Sequence, residues 1–142
     1  MTLNQSDKIN YLRGLILLVC KDKNIDKAST EIIHNLADVF GFNHYFVDST
    51  INEIINHNYI LEEPPEFSKE EIAEIFIRDA TQLAFIDSKS HIYEWKWVSR
   101  FASKNKLSSL WLIFEIVHLS KKNNINTKSS LEIQKYIEQV FN

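Results

Sequence analysis

The sequence predicts an all-α fold, a single-domain helical bundle of about seven helices spanning residues 1–142. It reads as two similar three-helix units at about 9–57 and 68–121, closed by a C-terminal helix at about 129–141. Three observations carry this expectation. The chain holds only Gly 2 and Pro 2, too few punctuators for the tight turns of a many-stranded sheet. Apolar residues recur at spacings of three and four along every long segment. Finally, the chain matches itself when slid by 65 positions.

Each helix has its own signals. After Ser6, a good N-cap, the residues Ile9, Leu12, Ile16, Val19 and Cys20 share one face. The polar stretch 22–26 ends that helix, and Asp26 is placed to cap a second with Ile32, Ile33, Leu36, Ala37 and Phe40 on one side. Gly41 sits where a left-handed C-cap residue belongs. Asn43 then caps a third helix carrying Phe46, Val47, Ile51, Ile54 and Ile55. Residues 59–67, with Pro64 and Pro65, read as an extended connector, because proline disfavours helix in the residue before it.

The second half follows the same plan. Ser68, Lys69, Glu70 and Glu71 form a capping-box pattern ahead of Ile72, Ile75, Phe76, Ala80, Leu83 and Ala84. A loop at 87–90 leads to a fifth helix with Trp97, Val98, Phe101 and Ala102, and Ser108 can cap a sixth with Leu112, Ile116 and Leu119. Ser129, Ser130, Leu131 and Glu132 repeat the capping-box pattern before Ile133, Tyr136, Ile137 and Val140. The offset of 65 places Arg13 on Arg78, Leu18 on Leu83, Asp22 on Asp87, Ala37 on Ala102 and Ile51 on Ile116. Apolar residues also meet apolar residues, Leu36 on Phe101 and Val47 on Leu112 among them. The last helix has no counterpart in the first unit.

Composition narrows the function. A 44% hydrophobic chain with Phe 9, Tyr 5 and Trp 3 can fill a core without metal or disulfide. Cys20 lies in the apolar run 14–20 and reads as a buried, inert thiol. That run is shorter than the roughly 20 residues a bilayer span takes, so no direct membrane insertion is expected. The first ten residues lack a basic segment followed by an apolar one, which predicts a cytoplasmic protein. A net charge of -3 argues against nucleic acid as a partner. No glycine loop exists to cradle a phosphate, and no catalytic constellation stands out, so the protein is expected not to be an enzyme. His34, His44, His57, His91 and His118 lack the close spacings of metal-binding helices.

Five carboxylates, an arginine and a tryptophan are candidates. Asp22 with Asp26, and Asp87 with Glu94, could gather oxygen ligands for a divalent cation such as calcium, or else act as turn residues. The missing density of ligands favours turns, and no cofactor is then needed. Asp79, at the edge of an apolar stripe, is expected to pair with Arg13 or Arg78. Trp95 falls opposite Trp97 on its helix; the repeat assigns Trp97 to the core, leaving Trp95 to be buried by the C-terminal helix or to anchor a partner. Arg78, Asp79 and Trp95 are thus the candidate interaction residues.

With the two acidic loops in register, the chain resembles the TerB-like tellurite-resistance family of bacterial proteins. The matching stretches are Asp22, Lys23, Asn24 and Ile25 followed by Leu36, Ala37, Asp38, Val39, Phe40 and Gly41 in the first half. In the second they are Asp87, Ser88, Lys89 and Ser90 followed by Phe101 and Ala102. Pro64, Pro65 and Phe67, with Ile77, Arg78, Asp79, Ala80, Leu83 and Ala84, also look like the middle of that family, so the resemblance covers residues 9–121. It implies an all-helical fold and a non-catalytic part in stress response or in membrane-proximal or defence-linked complexes. This sequence departs from the family pattern at Lys23 and Ser88, where glycine is usual, and at Ser29, where glutamate is usual and Glu94 stands in the second half. The expected function is therefore a non-enzymatic protein-interaction or stress-response module with an unknown protein partner, self-association being open. A divalent-ion-responsive domain is the first alternative and an enzyme of unknown type the second.

Overall fold

The computed structural model describes residues 3–20, 25, 27–57, 63–86, 95–121 and 131–141. Seven helices cover most of them: α1 (Gln5–Val19), α2 (Lys27–Phe40), α3 (His44–His57), α4 (Glu70–Ile86), α5 (Trp95–Lys104), α6 (Ser109–Lys121) and α7 (Glu132–Phe141). No strand occurs among the described residues. The helical apolar period thus gives an all-α bundle, as expected.

The duplication is visible in the backbone itself. Gly41 and Lys106, one repeat offset apart, are the described residues with positive φ, at 84° and 59°. Each closes its helix in the same way: Phe42 N–H donates to the Ala37 carbonyl at 2.8 Å, and Leu107 N–H to the Ala102 carbonyl at 2.9 Å. These bonds satisfy carbonyls that the end of a helix leaves open. The next helix then starts identically, with Phe46 N–H donating to Asn43 Oδ1 at 2.9 Å and Trp111 N–H to Ser108 Oγ at 3.3 Å. Ala37 and Ala102 are both fully enclosed. Gly41 takes the left-handed conformation without a Cβ penalty; Lys106 takes it because its register demands it.

At the centre, Tyr11, Phe40, Phe67, Phe76 and Phe101 pack as one aromatic group. Tyr11 lies 5.2 Å from Phe76 and 6.0 Å from Phe40, both edge-on, and Phe76 stacks on Phe101 at 5.5 Å. Edge-on contacts bring a ring's positive rim to its neighbour's negative face. α1 and α4 approach closely at Gly14, where a Cβ would meet the Phe76 ring at 3.0 Å and Pro65 Cγ at 3.1 Å. Cys20 is buried within this core.

The starts of α1 and α4 differ from expectation, as does that of α7 described below. The N-cap of α1 is Asn4, two residues before Ser6: its side chain accepts from Asp7 N–H at 2.7 Å, and Asp7 accepts in return from Asn4 N–H. Asp7 is buried, and it also binds the connector, accepting from Ser68 N–H at 2.9 Å and Ser68 Oγ at 2.6 Å. Ser68, expected to cap α4, thus turns its hydroxyl to the other unit. Asn105 completes the attachment of the connector. Its Oδ1 accepts from Phe67 N–H at 2.8 Å while its Nδ2 donates to the Pro65 carbonyl at 2.9 Å. The extended segment joining the two units is therefore held from both sides.

Candidate functional site

α7 lies outside the duplication and is fastened to α4 by its first turn. Helix N-termini expose N–H groups that need acceptors, and Leu131, at the N-cap position, has no side-chain oxygen to offer. Asp79 supplies it from α4: Oδ1 accepts from Glu132 N–H at 2.7 Å and Oδ2 from Ile133 N–H at 3.1 Å. Gln134 closes the turn, its Oε1 accepting from Leu131 N–H at 2.6 Å. The capping box expected at 129–132 is thus replaced by a cap from another helix, and Ser129 and Ser130 lie outside the described residues.

The remaining partner of Asp79 is Tyr11, whose hydroxyl donates to Oδ2 at 2.5 Å. The arginine pairing expected for Asp79 gives way to these three donors. Asp79 and Tyr11 are fully enclosed. Burial lifts the Asp79 carboxyl to about 7, against the pull of the bonds from Tyr11, Glu132 and Ile133. Burial and the adjacent carboxylate push the Tyr11 phenol well above its ordinary value. With no exposed surface, Asp79 acts in positioning α7 and not as a surface contact.

Arg78 takes up the outer side of the same junction. Its Nε and Nη2 form a fork on Glu132 at 2.8 and 3.0 Å, and Glu115 of α6 lies 3.7 Å from its Nη1. Partial burial disfavours the charge, but the fork to Glu132 and the nearby Glu115 hold it and raise the group above its ordinary value. Arg78, Glu132, Lys135, Ile75, Glu70, Glu71 and Glu74 line a polar cleft of about 730 Å³ between α4 and α7. Its charges are mixed and its arginine is committed within the protein; among the described residues the cleft brings together no nucleophile with an adjacent base.

The other candidates fall differently. Asp22, Asp26, Asp87 and Glu94, the candidate cation ligands, lie outside the described residues. Trp95 opens α5, but its side chain and that of Trp97 also lie outside them. A pair that spacing did not reveal does come together: His34 of α2 and His44 of α3 stack at 4.2 Å. His34 Nε2 meets Asp48 of α3 at 2.8 Å and His44 Nε2 meets Asp38 of α2 at 2.9 Å, so the four side chains tie the two helices. Among the described residues no three His, Cys, Asp or Glu side chains gather as a metal ion requires.

The described surface has a pronounced apolar feature. Along α6, Leu110, Ile113, Phe114 and Val117 are exposed, Leu110 by 65% and Phe114 by 66%. Their spacing draws one stripe over two helical turns, while Leu112 and Ile116 point into the core. α6 is thus apolar on both sides. The repeat supplies an internal control, because the corresponding exposed positions of α3 are Tyr45, Asp48, Ser49 and Asn52. At these four positions the outer face of α3 is mainly polar and that of α6 apolar. Sequence periodicity marked the inward residues of α6 and passed over this stripe, since an apolar residue facing water looks like core until the packing is known. Among the described residues no helix is long and apolar enough to cross a membrane.

No protein-family model matches the chain, and no curated protein or solved structure matches it either.

Proposed function

We propose that the protein is a non-enzymatic interaction module whose contact surface is the outer face of α6. The contrast between α3 and α6 carries this reading. Two helices in equivalent places, exposed at equivalent positions, show that the fold does not require apolar residues there. Exposing four large apolar side chains forgoes roughly 25 cal/mol for each Å² that burial would remove from water. A contiguous apolar face of this kind marks a contact surface. The polar groups at the α4–α7 junction are engaged as well, as Asp79, Tyr11 and Arg78 hold α7. A non-catalytic role in stress response, and a place in the cytoplasm of a bacterium, accord with the resemblance to the TerB-like family and belong to this proposal.

A photo-crosslinking amino acid tests the reading when placed at Phe114 and, in a matched variant, at Ser49. Crosslinked protein adducts are expected in cells from position 114 and not from position 49. Absence of adducts from both positions, or equal yields from both, would defeat it.

A further inference from the structure

We infer that α7 is a proton-linked latch: it opens from α4 as a unit while the rest of the bundle stays folded, and each opening releases a proton held at Asp79, so that α7 loosens as pH rises through neutrality.

The attachment of α7 is local. The helix has 10 residues, whereas an isolated helix shorter than about 12–15 is marginal in water. Leu131 and Ile133 are buried at its start and Ile137 is half-buried further on, packed toward α4. The polar fastenings fall in the first turn, where Asp79 accepts from Glu132 and Ile133 N–H and Arg78 forks on the Glu132 side chain. Loss of that one turn undoes the junction. By contrast α1 is held along its length by Tyr11, Leu12, Leu15, Ile16, Leu18 and Val19. Segments with few buried apolar contacts open at a lower cost than global unfolding.

Closing the latch encloses a carboxylate that has no cation of its own. Arg78, next to Asp79 in the chain, turns its guanidinium to Glu132 of α7 and Glu115 of α6. The remaining charged groups at the junction are Glu74 of α4 and Lys135 of α7, and α1 contributes the Tyr11 phenol. Carboxylates thus outnumber cations there. The donors on Asp79 itself, a hydroxyl and two backbone N–H groups, are all neutral. Neutral donors offset only part of what a carboxylate loses when water is removed, so the closed state favours the protonated acid. Burial accordingly lifts the Asp79 carboxyl to about 7. The proton has an acceptor in the Tyr11 oxygen, since a phenol accepts as well as donates.

Opening reverses this. The N–H groups of α7 cover both oxygens of Asp79, so departure of the helix admits water, the carboxylate is hydrated and the proton passes to solvent. Closure is therefore most favoured below about pH 4, where both states hold the proton, and this advantage is lost as pH rises through about 7.

Native-state hydrogen exchange on the full chain tests the latch, each rate being corrected for the intrinsic pH dependence of its amide. The amides of residues 133–137 are expected to exchange ahead of those in α1, through an opening that low denaturant does not promote. Their opening constant should rise at least tenfold between pH 5 and 7 and level off above about pH 8. In Asp79→Asn, whose side chain does not titrate, it should be flat with pH. Tyr11→Phe keeps the ring but removes a donor to the carboxylate, so it should move the rise to higher pH. Equal protection of α7 and α1, or an opening constant that is flat or falls with pH in the natural chain, would overturn the inference. So would the natural slope persisting in Asp79→Asn, or a rise that Tyr11→Phe leaves in place.

Discussion

The two three-helix units share the turn between their second and third helices and differ in what surrounds it. At one equivalent position the first unit has Gly14 and the second Asp79. Gly14 lets the ring of Phe76 and Pro65 come against α1, where a Cβ would meet them at 3.0 and 3.1 Å. Asp79, on α4, instead reaches out to the first turn of α7. On the outer faces the contrast is reversed, with α3 polar and α6 apolar. A duplicated scaffold thus leaves both inner and outer positions open to separate use, and a difference between equivalent positions identifies what was added to the common fold.

The largest effect is expected where the second unit holds α7. Asp79→Ala removes a helix cap and leaves the Tyr11 hydroxyl without its buried acceptor, for a loss of about 3 kcal/mol in denaturant unfolding. Hydrogen exchange should show the amides of Glu132 and Ile133 deprotected ahead of the rest. The same side chain carries a pH signature. Because the folded protein lifts Asp79 to about 7, above the ~3.9 of an unfolded aspartate, the native state binds the extra proton between those values. This contribution to stability is complete below about pH 4 and is lost as pH rises through 7. Stability of the natural protein should therefore fall relative to Asp79→Asn between about pH 4 and 7, and equal slopes for the two would show that Asp79 remains ionised throughout.

A smaller effect tests the first unit. Gly14→Ala gains about 1 kcal/mol of helix propensity but overpacks the Phe76 ring, which costs about 2 kcal/mol, for a net loss near 1 kcal/mol. A gain in melting temperature would mean that α1 and α4 can separate without penalty. The smallest effect concerns the common geometry. Lys106 occupies the left-handed conformation that Gly41 provides for in the first unit. Lys106→Gly should stabilise by about 0.5 kcal/mol, and Gly41→Lys should destabilise by a comparable or larger amount. The same sign for both exchanges would break the equivalence of the two units.

Much of the fold was legible in the sequence because its signals are local. The period that put Ile32, Ile33, Leu36 and Phe40 on one face is set by the pitch of a helix, and Asn43 and Ser108 cap α3 and α6 through groups three residues away. The candidate site was less legible. Asp79 and Arg78 were singled out, but the acceptor role of Asp79 toward α7 spans |i−j| of 53 and 54 and follows no spacing rule. The stacked His34 and His44 depend on how α2 and α3 cross. The stripe of Leu110, Ile113, Phe114 and Val117 was hidden because α6 is apolar on both sides, so its period is blurred.

By itself, the sequence determined the helices, the register between equivalent positions 65 residues apart and the caps of α3 and α6. Backbone hydrogen bonding and side-chain periodicity act over three or four residues and leave their mark in the order of the chain. Only the tertiary structure decided that Asn4 and Asp7 start α1, that Ser68 serves Asp7, that α7 takes its cap from α4, and that one apolar face of α6 meets water. These are matters of which buried polar group finds which partner and which surface is left outside. Both depend on the packing of distant segments, where desolvation makes an unmet donor or acceptor costly and so selects the arrangement that satisfies it.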